Sequence, residues 1–301
     1  MKKDISFISE GLKCAGWLFV PNDLAVGNKR PAIVMAHGFS GTKEMYLQFF
    51  AEVFCNAGFV VMVFDYRFLG GSEGEPRQQI IPHQQLEDYR NAISWVQQQA
   101  EVDAGQIGIW GSSYSGAHVL HLGAYDKRVK AVVSQVPLVD GFTNGRRLMR
   151  SDHFEDFRDA LIADRRARYA GGPVNYAAVV ALQGEPSVLS TVDCYPWFME
   201  THKKYAPAWE NRVTLESLEY FLEYRPQDCI ELISPTPLMI IASRDDRVVP
   251  TDLTIAAFSK AHEPKALEIV PGGHFDAYTE GPGFDQASSA AAGWFKKHLP
   301  Y

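Results

Sequence analysis

Short apolar runs bounded by turn residues recur along this chain of 301 residues. Residues 5–9 and 12–20 are two β runs joined at Glu10-Gly11, a hairpin signal. Ala32-Ile33-Val34-Met35-Ala36 is continuously apolar, as are 59–64, 107–110 and 237–242, and 129–136 and 266–270 are shorter apolar runs broken by one to three polar residues. Such runs predict strands buried on both faces of a parallel sheet. Between them the period lengthens toward that of a helix. Residues 46–57 form one helical stretch, ending at Gly58, and 84–100 another, with Leu86, Tyr89, Ile93 and Val96 on one face. A last helix is expected over 286–298. The order is β-β-β-α-β-α-β-α-β, the alternation of an α/β protein whose mostly parallel central sheet is flanked by helices.

The alternation stops at about Val139 and resumes near Ser234. In between, the chain is rich in Arg, Asp, Tyr and Trp. Residues 152–169 are a charged amphipathic helix ended by Gly171-Gly172-Pro173, Cys194-Tyr195-Pro196-Trp197-Phe198 is an aromatic turn, and 214–224 are a further helix. We therefore expect a core of residues 1–138 and 235–301 with a helical cap, 139–234, inserted after the sixth strand. Its aromatics suit the wall of an apolar pocket.

Ligands on such sheets bind beyond the carboxyl ends of the strands, so the loops there carry the information. After 107–110 comes Trp110-Gly111-Ser112-Ser113-Tyr114-Ser115-Gly116. A serine among small residues, between a strand and a helix, marks a nucleophile elbow, where a tight turn exposes the hydroxyl. Counting G-x-S from Gly111 selects Ser113 over Ser112 and Ser115. Ser115 stands where G-x-S-x-G has its last glycine, and Gly116 follows. A serine nucleophile needs a base in contact and an acid to orient that base. In sheet enzymes of this topology they follow in the order Ser, Asp or Glu, His. Asp246 comes after 237–242, and its D-x-x-x-P spacing to Pro250 favours it over Asp245, which we expect to turn toward Arg244 or Arg247. His274 comes after the last strand, behind the pliable Gly272-Gly273; Asp276 on the same loop is a weaker contender for the acid. Most of the other histidines take plainer places: His118 and His121 on the helix after the elbow, His153 and His202 on the cap, His262 and His298 on surface helices. The backbone N–H groups of Tyr114 and Phe39 are the expected oxyanion donors, with His37 bracing the Phe39 loop. Asp65, Arg67 and Ser72 are expected to brace the sheet end.

Composition and charge narrow the class further. The net charge of −7 argues against a nucleic-acid partner. The N-terminal residues enter a strand pattern directly and no apolar run is long enough to span a bilayer, so neither a signal segment nor a membrane partner is expected. The four cysteines, Cys14, Cys55, Cys194 and Cys229, make no C-x-x-C pair and no metal spacing. We expect reduced thiols in a cytoplasmic protein, with neither metal nor cofactor; a homodimer is compatible with this reading. Tyr195, Trp197, Phe198 and Trp209 are candidates for the substrate pocket, although aromatics serve equally as cap core. Arg146, Arg147, Arg150, Arg165, Arg166 and Arg168 could grip an anion; the plainer reading is a solvated face paired with Asp152, Glu155, Asp156, Asp159 and Asp164.

These motifs together resemble the α/β-hydrolase fold: His37-Gly38, the elbow 111–116, Asp246 and His274. The elbow G-S-S-Y-S-G is similar to that of the cocaine esterase and Xaa-Pro dipeptidyl peptidase group. A-H-G-F-S-G-T-K-E-M (36–45), F-D-Y-R (64–67), W-E-N-R-V-T (209–214), S-P-T-P-L (234–238) and G-G-H-F-D-A-Y (272–278) resemble more closely the polyketide transferases and thiohydrolases and their bacterial relatives. That resemblance implies a helical cap and serine-dependent acyl chemistry on diverse substrates. The expected activity is cleavage of a small carboxylic ester or thioester through an acyl-enzyme on Ser113. Transfer of the acyl group to an alcohol or amine, or an Xaa-Pro-type peptidase, are the alternatives. A silent binding protein would use the same pocket without reaction.

Overall fold

The computed structural model describes residues 1–149 and 151–300. Eight strands form one sheet in the order β1 (Lys2–Ser9), β2 (Leu12–Phe19), β4 (Val60–Phe64), β3 (Arg30–Ala36), β5 (Val102–Ser112), β6 (Val129–Gln135), β9 (Leu238–Ser243) and β10 (Lys265–Val270). The β1–β2 and β2–β4 pairs are antiparallel, and the remaining pairs are parallel. The hairpin sits where expected, with positive φ at Glu10 (47°) and Gly11 (82°), as a two-residue hairpin turn requires. Strand β4 is buried throughout, because helices cover both faces of the parallel region. The outer strand β1 instead exposes Lys2, Lys3 and Asp4 along the sheet edge, charges that discourage edge pairing.

Helices α1 (Leu47–Asn56) and α9 (Pro282–His298) pack together on one face. There Phe50, Phe54 and Phe295 close around Trp110 and one another. The other face carries α2 (Pro82–Val96), α3 (Tyr114–Tyr125), a 3-10 helix (Pro226–Ile233) and α8 (Thr251–Lys260). Helix α2 starts earlier and ends earlier than the expected 84–100, because Pro82 occupies its first turn, where a missing N–H costs nothing. The pattern did not announce α8, which buries only Thr254 and Ala257. His262, expected on a helix, lies in the loop after α8.

Between β6 and β9 come α4 (Gly141–Leu148), α5 (Ser151–Tyr169), β7 (Tyr176–Ala177), α6 (Cys194–Lys204), β8 (Val213–Thr214) and α7 (Leu215–Glu223). Strands β7 and β8 pair only with each other. The expected aromatic turn at 194–198 is instead the start of α6. Pro196 fits there, because in a first turn its absent N–H has no helical partner to lose.

The expected pairing of the arginines within their own helix gives way to cross-element pairing. Arg168 does reach Asp164 (2.7 Å), yet it also binds Glu216 and Glu219 of α7. Arg165 binds Glu219, Arg147 binds Asp252, and Arg146 lies 5.7 Å from the ring of Phe154. Arg150 lies outside the described residues, as does the side chain of Asp152.

Candidate active site

The elbow is built by close backbone approach. A Cβ on Gly111 would run into the carbonyl of Ser115, and one on Gly116 would meet Gln135 O and Pro137 Cα at 3.0 Å. Ser113, at φ 57° and ψ −113°, is held in a left-handed conformation that an L-residue adopts only under constraint. The constraint is visible: Ser113 N donates to Gln135 O (2.8 Å), and Ser113 O accepts from Leu138 N (3.1 Å) and Ala117 N (3.2 Å).

The elbow serines have different surroundings. Ser112 Oγ pairs with the Tyr278 hydroxyl, and Ser115 Oγ with that of Tyr66 at 2.6 Å. Both are fully buried. Ser113 makes no side-chain hydrogen bond among the described residues and lines a cavity at the carboxyl end of the sheet. The tolerance of serine at 115 also has a physical reason: Gly116 makes the close approach to the β6 end, while the Ser115 hydroxyl finds a buried partner.

Asp246 and His274 come together from the loops after β9 and β10. His274 Nδ1 is 2.7 Å from Asp246 Oδ2. The other oxygen, Oδ1, accepts the N–H groups of Val248 and Val249, each at 2.9 Å. A carboxylate fixed at both oxygens sets the imidazole's tautomer and orientation. His274 is 3% exposed and lines the same cavity as Ser113; no direct hydrogen bond joins them among the described residues. Such bonds are commonly long without a substrate. Asp245 is exposed and pairs with neither Arg244 nor Arg247 among the described residues, correcting that expectation; its N–H binds Gly272 O. Asp276 is exposed and accepts Gly273 N–H at 2.7 Å, shaping the loop that presents His274.

Phe39 follows Gly38, whose absent side chain leaves room for the nucleophile: a Cβ there would stand 3.0 Å from Ser113 Cβ. The N–H groups of Phe39 and Tyr114 have no acceptor among the described residues. Tyr114 begins α3, so its N–H is an unpaired donor at the positive end of the helix. His37 Nδ1 donates to Gly38 O (3.0 Å), and its Nε2 lies 3.8 Å from Asp65 Oδ1. Burial lowers the His37 pKa against the pull of Asp65, which keeps the ring neutral. Asp65 in turn accepts Lys43 N (2.7 Å), Lys43 Nζ (2.7 Å) and Gly71 N (2.9 Å), and its carbonyl accepts from Ser72 Oγ. Burial works against the Lys43 ammonium, but the Asp65 carboxylate outweighs it and raises the pKa. Arg67 binds Asp88. Asp65, Arg67 and Ser72 thus brace the sheet end.

Of the four pocket aromatics, Trp197 and Phe198 line the cavity, while Tyr195 and Trp209 do not. Tyr195 borders a separate surface hollow. Trp209 is buried behind Phe198 and donates its indole N–H to Ser40 O at 2.7 Å. The helical phase of α6 explains the split: Cys194, Phe198 and Thr201 face inward, and Tyr195 falls off that stripe. The rest of the wall includes Leu138, Asn144, Leu189, Phe221, Val248, Val249, Phe275 and Tyr278, most of them in loops whose periodicity carries no signal. Phe221 stacks on Tyr114 (5.9 Å between centroids) and meets Phe39 edge-on.

Comparison with known proteins agrees with this architecture. The sequence profile of the X-Pro dipeptidyl-peptidase (S15) family matches residues 11–276. The chain is 33% identical over 276 residues to the thiohydrolase aneE of Aspergillus aculeatus, covering 88% of this chain and 83% of that one. It is 30% identical over 302 residues to the quorum-quenching protein AidA of Acinetobacter baumannii, covering 99% and 95%. The crystal structure of the α/β hydrolase GrgF from Penicillium sp. sh18 superposes with a TM-score of 0.84 at 27% identity, over 100% of both chains. The expected α/β-hydrolase fold and the thiohydrolase and polyketide transferase resemblance are therefore borne out. No helix among the described residues is long and apolar enough to cross a membrane. The chain belongs to the X-Pro dipeptidyl-peptidase (S15) family of α/β-hydrolase-fold enzymes and is by class a hydrolase or acyltransferase.

Proposed function

We propose that the protein is a serine hydrolase that cleaves a carboxylic ester or thioester through an acyl-enzyme on Ser113. One observation carries this reading: of the elbow serines, Ser113 alone faces the cavity, and it shares that cavity with a histidine oriented by Asp246. Ser113 Oγ attacks the substrate carbonyl while His274 Nε2 takes its proton. The tetrahedral oxyanion binds the N–H groups of Phe39 and Tyr114, each worth about 3 kcal/mol. Collapse breaks the bond to the alcohol or thiol, which leaves with the proton from His274. Water then repeats the sequence on the acyl-enzyme, releasing the acid and restoring Ser113. Asp246 holds the imidazole and stabilises its charged form.

We read residues 139–234 as a lid over this chemistry, since Leu189, Trp197, Phe198 and Phe221 of that segment line the cavity. The buried, unpaired cysteines support a reducing compartment, and so the cytoplasm.

Two other outcomes follow from the family. The relatives include an acyltransferase, drtE of Aspergillus calidoustus, so an alcohol or amine could replace water as acceptor. An Xaa-Pro peptidase is favoured by the family profile, but binding a free amino terminus calls for a carboxylate, and among the described residues no Asp or Glu lines the cavity. The test is a panel of esters and thioesters varied in chain length and leaving group, with acceptor alcohols and amines and an Xaa-Pro amide, run beside Ser113→Ala. The reading expects free acid from esters or thioesters with the wild-type protein and none with Ser113→Ala. Predominant transfer products would move it to acyltransferase, and turnover of the amide alone to peptidase.

A further inference from the structure

The cavity wall is mostly apolar, and among the described residues no Asp, Glu, Lys or Arg lines it. Several of its polar side-chain atoms already have partners. Trp197 Nε1 donates to Thr279 Oγ1 (3.3 Å), the Tyr278 hydroxyl pairs with Ser112, and His274 Nδ1 is held by Asp246. Asn144 differs. It is 2% exposed and lines the cavity, and its Nδ2 donates to Val248 O at 3.0 Å. A carbonyl oxygen only accepts, so this bond fixes which end of the amide is nitrogen. The free end is therefore Oδ1. No donor among the described residues reaches it, and it is not among the enclosed, unpartnered atoms. On a residue that lines the cavity, an accessible oxygen without a donor is an acceptor awaiting one, an arrangement that native proteins keep where water or a ligand completes it.

Asn144 is also well fixed. It sits in α4, whose N-cap Asp140 accepts Thr143 N–H (2.9 Å) and is held from the far side by Gln227 Nε2 (2.9 Å). The Val248 carbonyl it binds belongs to the loop that Asp246 organises. The acceptor is thus rigidly placed relative to the His274 side of the site.

We infer that Asn144 sets substrate specificity: its Oδ1 accepts a hydrogen bond from a neutral O–H or N–H group on the substrate. An ammonium donor is disfavoured, because among the described residues no carboxylate lines the cavity to balance its charge. A substrate lacking the donor leaves a buried oxygen unpaired, a strong basis for discrimination. For turnover this inference rests on the hydrolase reading above; for binding it does not.

The test compares p-nitrophenyl esters of butanoate, 3-hydroxybutanoate and 3-acetamidopropanoate, which place a donor on the acyl side. Ethyl and 2-hydroxyethyl butanoate place it on the leaving group. Wild-type protein should favour a donor-bearing member of at least one series by about tenfold or more in kcat/KM. Asn144→Leu, or Asn144→Ala should the leucine variant not fold, should bring that ratio to about one. Each ratio is taken on one protein sample, so a partly folded variant cannot mimic the result. The same ratios measured as Kd on Ser113→Ala and Ser113→Ala/Asn144→Leu separate binding from chemistry. A preference in Kd that Asn144→Leu removes supports Asn144 even if wild type turns over none of the esters, a failure that would sink the hydrolase reading alone. No preference in any series, by kcat/KM or Kd, or a preference that survives in Asn144→Leu, overturns the inference.

Discussion

His274 Nδ1 lies 2.7 Å from Oδ2 of Asp246, whose Oδ1 is held at 2.9 Å by the N–H groups of Val248 and Val249. The carboxylate therefore cannot turn away from the ring without losing two backbone donors. Asp246→Asn offers Nδ1 an amide in place of a carboxylate and favours the wrong tautomer. We expect kcat to fall by about 10⁴-fold with little change in thermal stability. Steady-state kinetics on an activated ester checks this; a loss below tenfold would remove Asp246 from the catalytic role.

Gly111 tests the elbow as a packing problem. A Cβ there meets the carbonyl group of Ser115, which is backbone of the first turn of α3 and cannot yield as a side chain can. Gly111→Ala should cost about 3 kcal/mol or more in unfolding free energy. Gly293 offers the control: a Cβ there has nothing within 4 Å, so Gly293→Ala on the same protein should leave stability unchanged or raise it slightly. Equal effects of the two in a urea melt would contradict the packing account.

His118 predicts acid lability. It is fully buried beneath the elbow, with Nδ1 2.8 Å from the Tyr224 hydroxyl and Nε2 2.8 Å from Gln85 Oε1. Burial pushes its pKa down to about 3 from an ordinary 6.5. Below pH 6.5 the unfolded chain takes up a proton there that the folded chain refuses until about pH 3. Stability is therefore full above the ordinary value and declines as pH falls, by about 1.4 kcal/mol per unit from this residue. His118→Asn lacks that term. The stability gap between wild type and variant should narrow by about 2–3 kcal/mol between pH 7.5 and 4.5 in denaturant titrations. A gap independent of pH would contradict it.

The succession of strands and helices along the chain and the location of the elbow were legible because backbone geometry dictates both. Continuous apolar runs such as 60–64 are tolerated only where two faces are covered, Gly111 marks a backbone contact that a side chain would not permit, and Gly116 marks a tight one. The substrate wall was only half legible. Trp197 and Phe198 announced themselves as large aromatics, but which aromatics face inward depended on α6 being a helix, whose first turn reads from sequence as an aromatic turn. Asn144 carried no signal, since its role comes from the meeting of α4 with the loop around Val248, about a hundred residues later. The ion pairs of Arg165 and Arg168 with α7 were hidden for the same reason: they join elements whose adjacency is a property of the fold.

The assignment of Ser113 as the nucleophile is tested most directly by covalent labelling. Purified wild type, Ser112→Ala, Ser113→Ala and Ser115→Ala are each incubated with a fluorophosphonate, and the adduct is read by intact mass and peptide mapping. The account predicts a single adduct on Ser113 in the wild type, retained in Ser112→Ala and Ser115→Ala and absent from Ser113→Ala. An adduct that persists in Ser113→Ala, or one that maps to Ser112 or Ser115, would contradict it.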